Sequence, residues 1–297
     1  MRPFDYKLIH ALEMVINEQS FEKAAEKLNI TQSAVSQRIK QLEQRTAKPV
    51  IIRTLPYTAT PTGEKLLSHF LRVRQLEYDL IQEVLPEDSP KSIPISIAVN
   101  ADTLASWLIP ALTPLLEKHP IELNIQVTNE ANTQTLLQKG EVYAAISSQK
   151  SSFSGVKVDY IGSIDYILCA TPSFKRKYFK GGLSMDNLQN APCIDYDQRD
   201  TMHKDYLRDQ FDLTLPDYPC HRIRSSEAVV AMTLAGLAYG LLPTVQAQEH
   251  LASGELVDLA PKKHLNLDLY WHSWVLEKGV QQKLSKAILT YGEANFR

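Results

Sequence analysis

The sequence predicts a multidomain fold of mixed α+β and α/β class. An N-terminal winged helix-turn-helix is followed by a long linker helix and a C-terminal α/β domain. Three observations carry this. The chain opens with three short amphipathic helical stretches separated by capping residues, and residues 61–85 then form one uninterrupted helical stretch. From Ile93 onward, β-prone apolar runs alternate with helical segments.

In the first stretch, Tyr6, Leu8, Ile9, Leu12, Val15 and Ile16 recur at helical spacing, which predicts a helix from Asp5 to Glu18. Ser20 offers an N-cap for a second helix, Phe21–Leu28, with Phe21, Ala24, Ala25 and Leu28 inward. The alanine pair lets a neighbouring helix approach closely. After a break at Asn29-Ile30, Thr31 caps a third helix, Gln32–Gln44, and Ile30 and Val35 have hydrophobic-staple spacing. Ala34, Val35, Ile39 and Leu42 form its inner face; Gln32, Ser33, Ser36, Gln37 and Lys40 form the outer one. Short hydrogen-bonding side chains on a second helix after a tight turn are what a major groove requires. Gln reads adenine with two bonds, Ser bonds any base edge, and Lys reaches guanine or phosphate. The plainer alternative is a solvated helix face.

Pro49-Val50-Ile51-Ile52, then Arg53 and a turn-rich stretch to Thr60, fit a two-stranded wing that carries Arg53 toward a phosphate backbone. Charge agrees. The whole chain has a net charge of −2, yet residues 31–60 hold five basic residues (Arg38, Lys40, Arg45, Lys48, Arg53) against Glu43 alone. Residues 1–85 carry 12 Lys/Arg and 10 Asp/Glu, and the remaining residues are mildly acidic. A broadly basic nucleic-acid coat is excluded; a local footprint is not.

Thr60-Pro61 reads as N-cap and first helical residue, the position where a missing N–H costs nothing. The helix it opens runs to about Leu85, before Pro86. Leu66, Phe70, Val73, Leu80 and Val84 share one heptad seam interrupted by Glu77, a pattern that suits a dimerising helix. The alternative is a helix packed on its own domain. Pro86–Ser92 reads as a hinge.

Beyond it, strands are expected at Ile93–Val99, Ile121–Val127, Val142–Ile146, Tyr166–Ala170, Arg222–Ser225, Gly240–Pro243 and Leu267–Trp271. Helices are expected at Leu104–Lys118, broken by Pro110 and Pro114, near Thr133–Lys139, and at Pro172–Phe179, Glu227–Ala235 and Gly279–Gly292. This βαβ order implies a largely parallel sheet.

The same residues carry a resemblance. Ser20–Phe21 with Ala24–Ala25 and Leu28, then Thr31-Gln32-Ser33-Ala34-Val35-Ser36, then Ile39 and Leu42-Glu43 resemble the signature of LysR-type transcriptional regulators. Pro49, Arg53 and Thr60–Gly63 continue it in order. Ala47 departs from it, since the family usually has Gly there. If that position needs a positive φ, Ala costs on the order of 1 kcal/mol. The resemblance spans the chain and is greatest to a subgroup of arginine-export regulators, also described as inhibitors of chromosome initiation. It is carried there by Asn100-Ala101-Asp102-Thr103-Leu104-Ala105, Ser225-Ser226-Glu227-Ala228, Ala252-Ser253-Gly254-Glu255-Leu256 and Tyr270-Trp271-His272.

The resemblance implies a winged helix-turn-helix over residues 1–60, a dimerising linker over 61–92, and an effector domain over 93–297 built like a periplasmic binding protein. Its first lobe would comprise about 93–164 and 268–297, its second about 165–267. It also implies double-stranded promoter DNA and RNA polymerase as partners, lysine or arginine as effector, and a homodimer or dimer of dimers. Ligands in such folds sit at the carboxyl ends of strands, near helix N-termini. An effector carboxylate is therefore expected near Asn100, Asp102 and Thr103 or near Ser225 and Ser226, with Thr128, Asn129 and Ser147 lining the cleft. Asp102, Glu130 and Asp197, in that order, are the expected partners of a cationic side chain. The plainer alternative is an N-capping Asp102 and two solvated loop acids.

Other chemistry finds no support. Cys169, Cys193 and Cys220 show no metal-ligand spacing and read as small apolar side chains in a reducing compartment. His203, His221, His264 and His272 are too scattered to indicate a metal site. Ser225-Ser226 has no nucleophile elbow around it, and no Walker or dinucleotide-binding glycine loop occurs. No enzyme activity and no cofactor are expected. No apolar run approaches the ~20 residues of a membrane span, and a cytoplasmic protein without membrane contact is expected. An architectural or replication-origin protein, which would use the same N-terminal residues without an effector, is the alternative.

Overall fold

A computed structural model describes residues 4–84, 92–213 and 218–296; the side chains at 75, 78, 79, 82, 83, 130 and 131 lie outside that description. The chain divides into two compact units. One extends to Ile93 and takes in Thr135–Tyr143; the other comprises Pro94–Gln134 and Ala144–Arg297. No helix among the described residues is long and apolar enough to cross a membrane.

In the first unit, α1 (Tyr6–Glu18) is capped by Asp5, whose carboxylate accepts from the Lys7 N–H. α2 (Phe21–Lys27) is capped by Ser20, and α3 (Gln32–Thr46) by Thr31, whose hydroxyl accepts from the Ala34 N–H at 3.2 Å. Leu8, Ile9, Leu12, Val15, Ala24, Ala25, Val35, Ile39 and Leu42 make one buried core. Ala34, expected inside, is only half-buried; its methyl lies on the flank of α3 beside the cap rather than on the seam of Val35, Ile39 and Leu42.

β1 (Ile51–Ile52) and β2 (Thr58–Ala59) pair antiparallel as the wing. Thr60 then caps α4 (Pro61–Val84), accepting from the Gly63 N–H at 3.2 Å and donating to the Pro49 carbonyl at 2.7 Å. Gly63 is needed here, because a Cβ would collide with the Val50 carbonyl. Of the expected hinge Pro86–Ser92, all but Ser92 lies outside the described residues.

In the second unit, β3 (Ile93–Val99) leads into α5 (Ala101–Thr103), a π turn at Leu104–Leu108 and α6 (Ile109–Leu116). The helical path is continuous, so Pro110 and Pro114 do not break it as expected. Pro110 is the second residue after the widened π turn, where the backbone register changes. β4 (Ile121–Val127), α7 (Glu130–Lys139, of which the part from Thr135 on belongs to the first unit) and β5 (Ala144–Ser147) follow, then β6 (Val156–Ala170). Next come α8 (Pro172–Tyr178), α9 (Met185–Asn190), β7 (Cys193–Asp195), α10 (Met202–Phe211) and β8 (Cys220–Arg222). The chain continues through α11 (Ser226–Leu234), β9 (Gly240–Pro243), α12 (Thr244–Ser253) and β10 (Val257–Asp258). It closes with β11 (Leu265–Trp274) and α13 (Gly279–Asn295).

The main sheet runs β10-β6-β11-β5-β3-β4, with β9 also on β6. It is mixed, which corrects the expected largely parallel sheet. β3 runs parallel to β5, but β11 is antiparallel to both β5 and β6, and β9 and β10 are antiparallel to β6. β6 and β11 are the reason. They pair from Leu265↔Tyr166 to Trp274↔Val156, with an irregularity at Leu269/Tyr270, and serve both lobes. The part of β6 before Tyr166 escaped the sequence reading because Lys157, Asp159, Gly162 and Asp165 interrupt its apolar run. The strand expected at Arg222–Ser225 ends at Arg222, since Ser225 serves as N-cap of α11.

Each lobe has its own buried contacts. In the first, Trp107 stacks on Tyr291 and meets Phe296 edge-on, while the Trp271 indole N–H donates to Ser285 at 2.7 Å. In the second, Leu168, Phe174, Leu188, Cys193, Tyr206 and Tyr239 pack together.

Candidate nucleic-acid interface and ligand site

Burial of Val35, Ile39 and Leu42 turns the opposite side of α3 outward. Gln32, Ser33, Gln37 and Lys40 are exposed there, and Ser36 is half-buried. Ser33 also meets the Thr31 hydroxyl at 2.9 Å. Arg53 follows β1 on the surface, with Nη2 3.1 Å from Glu43 Oε2, while Glu43 Oε1 accepts from the Val50 N–H at 3.3 Å. Glu43, the single acid of the basic stretch, thus ties the end of α3 to the wing and aims Arg53. A second tie was not legible in the sequence. The Gln19 amide donates to the Tyr57 carbonyl at 2.8 Å and accepts from the Tyr57 N–H at 2.7 Å, pinning the chain before β2 to the end of α1. These are two side-chain bonds to the backbone of a residue 38 positions away, and no local spacing announces them.

In the second unit, a cavity of about 410 Å³ opens between the two lobes. Val127, Thr128, Asn129 and Asn132, from the end of β4 into α7, form one wall. Tyr196, Asp197, Gln198 and Arg199, directly after β7, and Arg224, directly after β8, form the other. Asp197 Oδ1 accepts from the Arg199 N–H at 2.8 Å, and Oδ2 lies 3.4 Å from Arg224 Nη2. The Asp197 side chain is only 13% exposed, whereas that of Arg224 is 74% exposed. Asn129 Oδ1 is buried and accepts nothing from the described residues.

Of the residues expected to bind an effector, Thr128, Asn129 and Asp197 line this cavity together. The others are placed differently. Asn100, not Asp102, is the N-cap of α5, accepting from the Thr103 N–H at 2.9 Å, and Thr103 is buried. Ser147 is buried and accepts from the Gln149 N–H. Ser225 caps α11 and donates to Glu227 at 3.0 Å. The Glu130 side chain lies outside the described residues.

Asp102, expected as first partner of a cation, is not among the lining residues. It joins the lobes instead. Tyr166 donates to its Oδ2 at 2.9 Å, and Ser226 lies 2.6 Å from its Oδ1 and 2.8 Å from Gln246 Oε1. The Ser226 proton serves one acceptor at a time, so the second contact needs a proton on Asp102 or a turned Gln246 amide. Burial pushes the Asp102 carboxyl above its usual range; the Ser226 and Tyr166 hydroxyls oppose this, and Asp200 and Glu227 add to it. An enclosed carboxyl held toward its neutral form suits a latch better than an open counter-ion.

Sequence reasoning missed Asn132, Tyr196, Gln198, Arg199 and Arg224. Arg224 had a signal, since it directly precedes the Ser225-Ser226 pair already singled out at a strand end. Asn132 lies in the first turn of α7, and Tyr196, Gln198 and Arg199 on the loop after β7, and their approach depends on how the lobes close.

Residues 6–64 match the family described as bacterial regulatory helix-turn-helix protein, lysR family, and residues 90–276 match the LysR substrate binding domain. The chain is 48% identical to the HTH-type transcriptional regulator ArgP of Aeromonas salmonicida, over 98% of each chain. It is similar in structure to ArgP from Mycobacterium tuberculosis, with a TM-score of 0.89, 28% identity and 99% of each chain covered. Full-length LysG from Corynebacterium glutamicum with bound effector Arg gives a TM-score of 0.81 at 28% identity, covering 99% of this chain and 100% of that one.

Proposed function

The chain belongs to the LysR family of transcriptional regulators, and from that premise we propose that it controls amino-acid export or metabolism genes by sensing lysine or arginine in the cavity between its lobes. The observation that carries this reading is the charge arrangement of that cavity. Asp197 and Arg224 face each other at its edge, and the unsatisfied Asn129 oxygen lies on the opposite wall. A basic amino acid offers the complementary set. Its carboxylate takes the Arg224 guanidinium in a two-pronged bond, and its cationic end takes Asp197 and the Asn129 oxygen. The ligand exchanges one ion pair for two, so no buried charge is left alone. The volume falls within the roughly 300–1,000 Å³ of small-molecule sites. The similarity to LysG with bound Arg favours the same ligand class.

Two copies of the chain then place two α3 helices on half-sites of approximate two-fold symmetry, with α4 joining them. RNA polymerase is the partner that reads the outcome. The ligand acts by binding one arrangement of the lobes more tightly than another.

Calorimetric titration of the full-length protein with lysine, arginine and norleucine tests the proposal. Saturable binding of lysine or arginine but not norleucine is expected. Absence of binding by all three would overturn the sensor reading and favour a DNA-occupying protein without a metabolic signal.

A further inference from the structure

The second lobe holds a group of ligating atoms that neither DNA recognition nor the effector cavity uses. Cys193 and Cys220 lie far apart in sequence, but β7 and β8 run parallel and pair Cys193 directly with Cys220. Side chains two apart on a strand share a face, so Asp195 points to the same side as Cys193. The two sulfurs and a carboxylate oxygen all lie within 4.8 Å of one another. Asp195 is more than nine-tenths buried; its Oδ2 accepts from the Tyr218 hydroxyl at 3.2 Å and the Cys220 thiol lies beside the carboxylate, while Oδ1 has no well-formed hydrogen bond among the described residues. Cys193 is fully buried, and Cys220 is partly exposed, which leaves a way in from solvent.

We propose that Cys193, Cys220 and Asp195 form a binding site for a divalent, thiolate-preferring metal ion of the zinc type. Two thiolates and one carboxylate are a donor set for zinc. Tetrahedral legs of about 2.3 Å place two sulfurs roughly 3.8 Å apart, within the observed spread. On binding, each thiol gives up its proton, so that a zinc ion, two thiols and one carboxylate yield a complex of net charge −1 and two released protons. A water would complete the four-coordinate set.

Cys193 and Asp195 are enclosed in an apolar setting, and a divalent ion would supply the positive charge that their ionised forms need there. β7 continues into Tyr196 and Asp197, and β8 into Arg224, so the same ion would brace both strands that carry the second wall of the cavity. The metal site itself does not depend on the identity of the effector.

The test is titration of the reduced, chelator-stripped full-length protein with cobalt chloride, followed by competition with zinc chloride. One equivalent of cobalt should produce sulfur-to-cobalt charge-transfer absorption with tetrahedral visible bands, and zinc should abolish both. Cys220→Ser, at the more exposed position, should lose the charge-transfer band of one sulfur. It should also weaken binding by at least the roughly 10–100-fold that loss of a mere outer-shell partner costs. Asp195→Asn should weaken binding while keeping the two-sulfur spectrum. Far-ultraviolet circular dichroism identifies any variant that fails to fold, and the unaltered chain remains decisive alone. No charge-transfer band in the unaltered chain, or an equal band in folded Cys220→Ser, overturns the site.

Discussion

Ala47 closes α3 in the left-handed region, at φ 52° and ψ 25°. The family resemblance placed Gly there, and the backbone bears out the reason, since a Cβ in that conformation costs on the order of 1 kcal/mol. Ala47→Gly should stabilise the first unit by about that amount, read from urea unfolding, with DNA affinity little changed. His203 is a second residue whose surroundings fix a measurable outcome. It is fully enclosed, bonded through Nε2 to the Tyr239 hydroxyl at 3.0 Å, and burial lowers its pKa from 6.5 to about 4. The unfolded chain therefore takes up a proton at a pH where the folded one does not. The stability contributed by neutral His203 is present above 6.5 and is lost as the pH falls toward about 4, where the loss levels off. The total is roughly 3 kcal/mol. Replacing the residue by Gln, which takes up no proton, should flatten this part of the stability–pH profile; an unchanged acid slope would count against it.

At the scale of elements, the proposed DNA contacts divide between α3 and the wing. Gln32→Ala or Ser36→Ala should relax sequence preference by about 1–3 kcal/mol at the contacted base, with a smaller effect on bulk affinity. Arg53→Ala should weaken binding to all sequences and lower the salt slope by about one, if Arg53 makes the phosphate contact proposed for it. Both are readable by fluorescence anisotropy across salt concentrations and operator variants. α4 shows a similar division. Leu66 and Phe70, the first members of its heptad seam, are buried in the core of the first unit, with Phe70 stacked on Tyr6. Farther along, Leu80 is 57% and Val84 62% exposed in the single chain. The seam thus anchors the helix at one end and is exposed at the other, where the proposed dimer would cover it. Leu66→Ala should cost about 2–4 kcal/mol of unfolding stability. Leu80→Lys should leave that stability nearly intact and shift the protein toward monomer in sedimentation.

At the scale of the whole molecule, the proposed response links a cavity in one unit to helices in the other through relative populations, not through a single chain of contacts. Asp197→Asn removes the charge on the second wall without altering α3 or the wing. The variant should bind operator DNA like the parent while its lysine or arginine affinity falls by about 10-fold or more, the scale of one charge-assisted bond. Asp102→Asn should behave differently, since Asp102 touches the opposite lobe rather than the cavity. Its effect should fall on how far the ligand changes DNA binding, more than on ligand affinity itself. Equal ligand affinity in parent and Asp197→Asn would move the site elsewhere.

Local physics made the N-terminal unit readable. Capping by Ser20, Thr31 and Thr60, the buried seams of α1 and α3, and the short wing all follow from residues within a few positions of one another. The sequence by itself therefore determined the helix-turn-helix, its outward polar face and the family. What only the tertiary structure decided depends on residues brought together over long separations. The mixed sheet arises because β6 and β11 traverse both lobes, and no period in either strand states its partner. Arg224 meets Asp197 because β7 and β8 lie side by side, and the same pairing joins Cys193 to Cys220. Asp102 looked like an open carboxylate at a strand end until Ser226 and Tyr166 closed over it. Spacing along the chain encodes which face of an element is apolar; which side chains converge in a cleft is set by the packing of whole elements, and that information is spread over the entire fold.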